Sequence, residues 1–551
     1  MKSRIPSLLL LAGAASPLAA QVPVDAAQRV DAIFATYATP ASPGCIVGVG
    51  REGKQVYAKA YGMANLEYNV PLTVESISES GSVAKQFTAA ALALLHLEGK
   101  LSLDDDIRKY LPEVPDFGAR ITIRHLLNHT SGIRDQWALW GLADRGPGSE
   151  VHTIPEVLDL VRRQRDLNFQ TGSEHLYSNT GYTLASVIVT RVAGMPFARF
   201  TQERLFKPLG MNHTQWRDDY RRVVPNRATA YSREGTAWVQ NMPFTMVHGN
   251  GGLLTTVGDL LIWNDALDQG LLGKPELTRL LETKGKLNSG RELDYALGLT
   301  VGEARPGIRA ISHGGSTAGY RTYLVRYPEA GRLSVALLCN AANANAGALA
   351  QRVANVYLPA AVMAARDTAP SRVSAEERAR LVATYRNPVT DDWFNVAANA
   401  EALQIVGPAT DPLTLEAAAT YRARSGRRFR FEPAQGVVRQ AILIFEGDSA
   451  TFEVVQRPEL SASQLAEYAG DYYSPELGTT LRLRVDAGRL LLRSSPDEEV
   501  ALVPFYRDGF RVGGSGATGR FVRDANGRIK ELRAFAGRAR NVLFERVTAD
   551  R

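Results

Sequence analysis

Three observations in the 551-residue chain predict an α/β (α+β) domain followed by two small antiparallel β domains. The first is the order of patterns: a helix, two strands, a long helical insert, several strands and a closing helix. That is the layout of a sheet flanked by helices with a helical lobe beside it. The second is a linker-like stretch, Asp367-Thr368-Ala369-Pro370-Ser371, beyond which short alternating strands and turns take over. The third is a repeat in that last part, with a period of about 87 residues. Residues 381–405, with Tyr385-Arg386-Asn387-Pro388, align with 467–492, with Tyr472-Tyr473-Ser474-Pro475. Phe431-Glu432-Pro433 likewise matches Phe521-Val522-Arg523. Two copies of one small antiparallel unit imply barrel-like domains. The expected divisions are a leader at 1–20, the α/β domain at 21–365, a linker at 366–374, and β domains at 375–457 and 458–551.

Each element has a local reason. Met1-Lys2-Ser3-Arg4 is basic, residues 8–11 are leucines, and small residues run to Ala20, which reads as an export signal cleaved near Ala20. Its core is too short to span a bilayer, and no later stretch approaches the ~18 uninterrupted apolar residues required. No transmembrane segment is therefore expected, and residence is expected to be periplasmic or secreted, in a bacterium. Val30, Ile33, Phe34 and Tyr37 mark one face of a helix closed by Pro40 and Pro43. Strands at 45–49 and 55–61 flank Gly48-Val49-Gly50-Arg51-Glu52-Gly53. The string matches G-x-G-x-x-G, yet a dinucleotide fingerprint must lead from strand into helix, and here the chain returns to strand, so it is read as a hairpin. From Ser82 to about residue 281 the pattern is mainly helical. Strands are then expected at 295–301, 310–312, 319–327 and 333–338, and a helix at 344–364. Thr256-Val257-Gly258-Asp259 reads as a capping box before Leu260-Leu261-Ile262-Trp263.

Composition narrows the function. The net charge of +7 is spread mostly as isolated arginines. The densest patch, residues 422–431, alternates Arg with Phe at its end, the pattern of a strand with Phe inside and Arg in water. A nucleic-acid binder clusters its charge far more heavily, so nucleic acid is not an expected partner.

The chemistry concentrates at Ser82-Val83-Ala84-Lys85, which follows Glu79-Ser80-Gly81 and precedes an apolar run, 86–97, at helical spacing. Ser82 is thus expected at a helix N-terminus with Lys85 one turn later on the same face, an ammonium beside a hydroxyl. A serine needs such a neighbour to act as a nucleophile. An S-x-x-K string alone arises about once or twice by chance in a chain this long. Two further segments accompany it in order, Tyr177-Ser178-Asn179 and His313-Gly314-Gly315-Ser316.

With Ile123-Arg124-His125-Leu126-Leu127-Asn128-His129-Thr130-Ser131-Gly132, Glu174-His175-Leu176-Tyr177-Ser178-Asn179-Thr180-Gly181-Tyr182 and Gly251-Gly252-Leu253-Leu254-Thr255-Thr256, these residues resemble the serine β-lactamase and penicillin-binding protein superfamily. The similarity is to its class C β-lactamase-like branch, over roughly residues 24–362. The appended β domains resemble the D-aminopeptidase type, in which a barrel loop reaches the active site. Gly513–Gly519 is one candidate for that loop, with a plain hairpin turn as the alternative. The resemblance implies an antiparallel main sheet whose first and last strands are neighbours, bringing Cys45 near Cys339. A disulfide and two buried thiols both remain open.

In a serine hydrolase of this kind Ser82 forms an acyl-enzyme, and Lys85 is expected to lower neighbouring pKa values. Tyr177 is then the expected general base and acid. Asn179 offers a donor and an acceptor to the substrate amide, and Thr180 is expected to cap the next helix. Gly315 lets the substrate backbone approach, and the Ser316 and Ser82 N–H groups form the expected oxyanion hole. His313 stands where β-lactamases and most penicillin-binding proteins carry Lys. A mostly neutral imidazole there favours amides, peptides or esters without an obligatory carboxylate at that place.

His125 and His129 lie four apart, but without the glutamate of H-E-x-x-H or a third ligand they are read as capping and core residues. No metal and no cofactor are expected. No G-x-S-x-G occurs, which removes the nucleophile elbow as a rival. The expected function is an exported serine hydrolase on small-molecule or peptide substrates, foremost a D-aminopeptidase or D-peptide/amide hydrolase. A carboxylesterase, then a β-lactamase or D-Ala carboxypeptidase, are the alternatives on the same site. A non-turnover cell-wall peptide binder is the alternative of another class.

Overall fold

The computed structural model describes residues 24–358 and 373–547, apart from 147, 149, 399–401, 407–409, 418, 424–426, 446–447 and 494–498. The expected leader (1–20) and the stretch 367–371 lie outside the described residues.

The first domain is built on a six-stranded antiparallel sheet. Its strands are β1 (Cys45–Arg51), β2 (Lys54–Tyr61), β3 (Thr300–Arg305), β4 (Ile308–Thr317), β5 (Tyr320–Tyr327) and β6 (Leu333–Cys339), in the order β3-β4-β5-β6-β1-β2. Strand β1 is buried along its whole length. Its period of two sends Cys45, Val47 and Val49 towards α1 (Ala26–Phe34) and the closing helix α5 (Ala346–Tyr357), where Val30, Phe34 and Val353 pack. The alternate positions face α4 (Val257–Asp268). There a Cβ on Gly48 would stand 3.1 Å from Leu261 and 3.2 Å from Val257. Gly48 therefore serves helix-on-sheet packing. Glu52 and Gly53, with φ of 51° and 78°, make the tight turn into β2. The hairpin reading of this glycine string holds.

Cys45 and Cys339 are register partners on the adjacent β1 and β6, and their sulfurs are bonded. Two expectations shift. The strand expected at 295–301 starts only at Thr300, because Gly298 has φ of 74° and a Cβ there would come within 2.8 Å of the Lys85 carbonyl. Residue 295 is thereby released from the sheet. The box at Thr256 is only half formed: Thr256 accepts from the Asp259 N–H, while the Asp259 carboxylate accepts from the N–H of His213 and the hydroxyl of Thr214.

Two closed antiparallel barrels of eight strands follow, from Ala383–Arg386 to Asp448–Val454 and from Gly470–Ser474 to Ala539–Arg546. The repeat survives in atomic detail. Tyr385 Oη donates to the Leu381 carbonyl and Tyr472 Oη to the Tyr468 carbonyl, each at 3.0 Å. Tyr385 stacks edge-on to Phe431 at 5.4 Å, and Tyr472 to Phe521 at 5.6 Å. In the strand Arg428–Glu432 the two phenylalanines are buried and the arginines exposed, with Arg428 paired to Glu416 and Arg430 to Glu432. This part of the arginine patch is a solvated face.

The second barrel packs on the helical lobe. At the contact Arg134 Nη1 reaches both oxygens of Glu476, at 2.9 and 3.0 Å, with 1% and 3% of the two side chains exposed.

Candidate active site

Ser82 sits in a 3₁₀ turn, Gly81–Ala84, that runs directly into α2 (Lys85–Leu97). The α-helix thus begins at Lys85, one turn after the serine. The turn is pressed against β4: a Cβ on Gly81 would stand 2.6 Å from the Ser316 nitrogen, and one on Gly315 would stand 2.0 Å from the Ser80 carbonyl oxygen and 3.2 Å from the Ser82 nitrogen. Only glycine at 81 and 315 allows this approach. The turn carrying the Ser82 nitrogen and the strand carrying the Ser316 nitrogen are thereby packed against each other.

Lys85 is fully buried. Its Nζ lies 3.1 Å from Ser82 Oγ, 2.9 Å from Asn179 Oδ1 and 2.6 Å from the Asn250 carbonyl oxygen. The last two atoms can only accept, so they take two of its protons. Burial pushes the ammonium well below its ordinary pKa; the Asp135 charge opposes this and the Arg538 charge assists it. As an ammonium, Nζ donates to all three oxygens; once it loses a proton, its two remaining N–H groups can stay on Asn179 and Asn250 and its lone pair can accept from the Ser82 hydroxyl.

Tyr177 lies in the cleft beside Ser82 and Lys85. Burial pushes its phenol up, while the nearby Ser82 hydroxyl and the Arg538 charge pull it down less. Lys85 Nζ lies 4.8 Å from the ring centroid. Tyr177 is a buried phenol beside Ser82 whose hydroxyl has no hydrogen bond of ordinary geometry.

Asn179 opens α3 (Asn179–Ala193), and its amide is oriented by Asp135. The Asp135 Oδ2 accepts from Asn179 N at 2.6 Å and Nδ2 at 2.8 Å, which turns Oδ1 towards Lys85. Asp135 Oδ1 caps the helix Gln136–Leu142. Thr180 is not a cap: its hydroxyl donates to the Arg134 carbonyl and accepts from Gln136 N, tying α3 to the same segment.

His313 Nδ1 lies 2.6 Å from the Gly314 carbonyl oxygen, which must accept, so the proton is on Nδ1. Nε2 then accepts from Tyr295 Oη at 2.9 Å. Burial, and next the Lys85 charge, push this imidazole down to about 4. His125 completes the capping box of the helix Ile123–Leu127 with Thr122. His129 takes a left-handed conformation just past that helix, with φ of 59°, accepts from Ser178 N at 3.1 Å and stacks at 4.1 Å on Tyr177. Both serve structure. Among the described residues no cluster of three or more His, Cys, Asp or Glu side chains is placed to hold a metal.

The cleft over these groups encloses about 1030 Å³ and is bounded by Ser82, Tyr177, Asn179, the His313–Ser316 strand, Arg321 and Arg538. Arg538 comes from the second barrel, at the hairpin between Ile529–Ala536 and Ala539–Arg546, and its guanidinium lies 4.7 Å over the Tyr177 ring. The hairpin is docked by Asp135 N and Asn168 Nδ2, which both donate to the Arg538 carbonyl, at 3.2 and 2.9 Å. Gly513–Gly519 instead spans an exposed turn and the start of its return strand. Asp135, Asn250, Tyr295 and Arg538 escape sequence reasoning. Only Asp135 carries a local signal, as a helix cap.

The description of the beta-lactamase family matches residues 30–358, more than half of the chain and the whole span carrying this cleft. The chain belongs to the beta-lactamase family. As a member of it, the protein is a serine hydrolase. It is 29% identical over 291 residues to penicillin-binding protein 4* of Bacillus subtilis, a match spanning 50% of this chain but only 63% of that protein. It is 27% identical to a D-aminopeptidase of Brucella anthropi, over 81% of this chain and 82% of that one. A D-aminopeptidase of Gluconobacter oxydans is 26% identical over 79% and 80%. The fold is that of the octameric penicillin-binding protein homologue from Pyrococcus abyssi, with a TM-score of 0.55 and 24% identity, covering 78% of this chain and all of that one.

Proposed function

We propose that this family member hydrolyses amide bonds of D-amino-acid derivatives through an acyl-enzyme on Ser82. The observation that carries the reading is the set of three contacts around Lys85 Nζ. Two carbonyl oxygens hold two of its protons and the third position is directed at Ser82 Oγ, 3.1 Å away, so that the deprotonated amine would present its lone pair to the hydroxyl. In this reading Lys85 takes the proton as Ser82 Oγ bonds to the acyl carbon. The Ser82 and Ser316 N–H groups receive the developing oxyanion. As the C–N bond breaks, the proton on Lys85 passes to the leaving nitrogen, with the neutral Tyr177 phenol as the relay beside it. Water then attacks the ester, loses its proton to Lys85, and Ser82 regains one as the acid departs. Asn179, fixed by Asp135, holds the acyl amide. His313, neutral and locked between Gly314 and Tyr295, shapes the strand without adding charge.

The D-amide preference is supported by the relatives named D-aminopeptidase, whose similarity covers 81% and 79% of this chain, more than the first domain alone. We also propose export: the basic and apolar start ending near Ala20 and the bonded Cys45–Cys339 pair both suit an oxidising compartment. The test is hydrolysis of D- and L-alanine p-nitroanilides, a p-nitrophenyl ester and nitrocefin, with Ser82→Ala as control. Turnover of the D-anilide, lost in the variant, is expected. Turnover of the ester alone would make the protein a carboxylesterase.

A further inference from the structure

We propose that Asp135 is a positioning residue of the Ser82 reaction, acting through Asn179 and Lys85, and that the second barrel holds it in place, so that this barrel is a working part of the active site. The proposal deepens the Ser82 reading and rests on it for the identity of the nucleophile.

Asp135 is buried, and each of its oxygens accepts from two N–H groups. Oδ1 takes those of Trp137 and Ala138, at 3.0 and 3.2 Å, and Oδ2 takes Asn179 N and Nδ2, at 2.6 and 2.8 Å. The acceptor on Nδ2 fixes which way the Asn179 amide points. Its Oδ1 faces Lys85 Nζ at 2.9 Å, and Nδ2 keeps its second hydrogen for a substrate carbonyl. An asparagine at 135 would set an NH2 group against N–H donors on one side. Turning the Asn179 amide over relieves that clash, but it aims Nδ2 at Lys85 and takes the donor away from the substrate.

Charge follows the same route. The carboxylates lining the cleft are taken, Glu79 by Arg217 at 2.8 and 3.1 Å and Glu150 by Arg145. Asp135 forms no ion pair among the described residues, and its charge acts on Lys85. Burial is the main influence on that ammonium; after it, the Asp135 charge raises its pKa and the Arg538 charge lowers it. The other titratable groups around it stay neutral near pH 7: burial pushes His129 and His313 down, His313 to about 4, and pushes the Tyr177 and Tyr182 phenols up.

The second barrel grips this segment from behind. Asp135 N donates to the Arg538 carbonyl at 3.2 Å, Arg134 Nε to the Arg540 carbonyl at 3.1 Å, and Arg134 Nη1 to Glu476. Asn168 clamps the same hairpin from the lobe: its Nδ2 donates to the Arg538 carbonyl at 2.9 Å, and its Oδ1 accepts from Arg540 N at 2.8 Å. One run of contacts thus joins the hairpin to Asp135, Asn179 and Lys85.

The experiment measures kcat and KM for a D-alanine p-nitrophenyl ester from pH 5 to 10 on the wild type, Asp135→Asn, Asp135→Glu, Asn168→Ala and Arg538→Gln, with circular dichroism to verify folding. The substrate α-amine titrates alike for every variant, so differences between variants belong to the protein. Asp135→Asn should lower kcat at least about tenfold, the scale of one hydrogen bond to a charged group, with KM moving less. Losing the carboxylate also favours the neutral amine, so the midpoint of the rise in kcat/KM should move at least about half a pH unit lower. Arg538→Gln removes the opposing charge, keeps the backbone carbonyl, and should move the midpoint higher. Asp135→Glu should keep the wild-type midpoint and recover part of kcat. Asn168→Ala, which lies outside the cleft, should lower kcat at least about threefold by loosening the hairpin. A kcat for Asp135→Asn within threefold of the wild type, or a midpoint moved the same way by Asp135→Asn and Arg538→Gln, would overturn the proposal. If Asp135→Asn does not fold, an unchanged kcat in Asn168→Ala together with an unmoved midpoint in Arg538→Gln overturns it. Turnover lost in Ser82→Ala but untouched by these variants rejects this proposal alone, whereas turnover kept in Ser82→Ala rejects the Ser82 reading.

Discussion

Replacing Lys85 by Arg keeps a cation beside Ser82 but removes the ability to lose its proton, because a guanidinium stays charged at every accessible pH. In the wild type Nζ lies 3.1 Å from Ser82 Oγ, is fully buried, and also donates to Asn179 Oδ1 and the Asn250 carbonyl. If that amine is the base, the variant forfeits general-base catalysis of acylation, which contributes about 10²–10⁴ in rate, or about 3–5 kcal/mol. The pH profile separates this from simple damage. Burial places the Lys85 pKa below its ordinary 10.5, so wild-type kcat/KM should rise with pH as the amine deprotonates and level off below that value. The Arg variant should show a low rate without that rise. The assay is kcat/KM on an activated D-alanine p-nitrophenyl ester from pH 6 to 9, with circular dichroism to verify folding. Lys85→Met is the companion. It leaves Asn179 Oδ1 and the Asn250 carbonyl without a donor, at about 1–3 kcal/mol each, and should be as inactive. An Arg variant within fivefold of the wild type would refute the reasoning and return the role of base to Tyr177.

Three further outcomes follow from the same geometry. Glu476→Gln leaves Arg134 buried without its counter-ion, so the urea midpoint should fall by the equivalent of about 3–5 kcal/mol, with faster amide exchange in Ala539–Arg546; an unchanged midpoint would remove the pair from the docking of the second barrel. Reducing Cys45–Cys339, which closes a sequence separation of 294 residues, should cost about 4–5 kcal/mol in denaturant unfolding, and thiol titration must report both cysteines free. His313 is held at about 4 in the folded protein against about 6.5 when unfolded, so between those values the unfolded chain binds the extra proton. Its share of stability is whole above pH 6.5 and declines by about 3 kcal/mol as pH falls to 4. His313→Asn should flatten the stability slope across that window by about 1.4 kcal/mol per pH unit.

Much of the site was legible because its groups lie within short strings. Ser82 and Lys85 are three apart at the start of an apolar helix, and Tyr177 and Asn179 precede another. The barrel repeat was legible because each copy rebuilds the same tyrosine contact. What the sequence hid depends on burial and on distant meetings. The Lys85 amine and Tyr177 phenol shift in opposite directions because both are desolvated, and no spacing rule carries that. Thr180 sits where a cap is plausible, but Arg134 and Gln136 claim its hydroxyl. The chain separates Arg538 from Tyr177 by a whole barrel, and only the fold of the second barrel's last hairpin brings them together. The Gly-rich string at 513–519 drew attention by composition, and its tip is an exposed turn.

The most direct test of the central claim is capture of the acyl-enzyme. Purified protein would be mixed with a D-alanine p-nitrophenyl ester, quenched in acid within milliseconds to seconds, and digested for mass spectrometry. The account predicts a D-alanyl adduct on the peptide containing Ser82, forming with a burst of p-nitrophenol and absent in Ser82→Ala. Sustained turnover by Ser82→Ala, or an adduct on another residue, would contradict it.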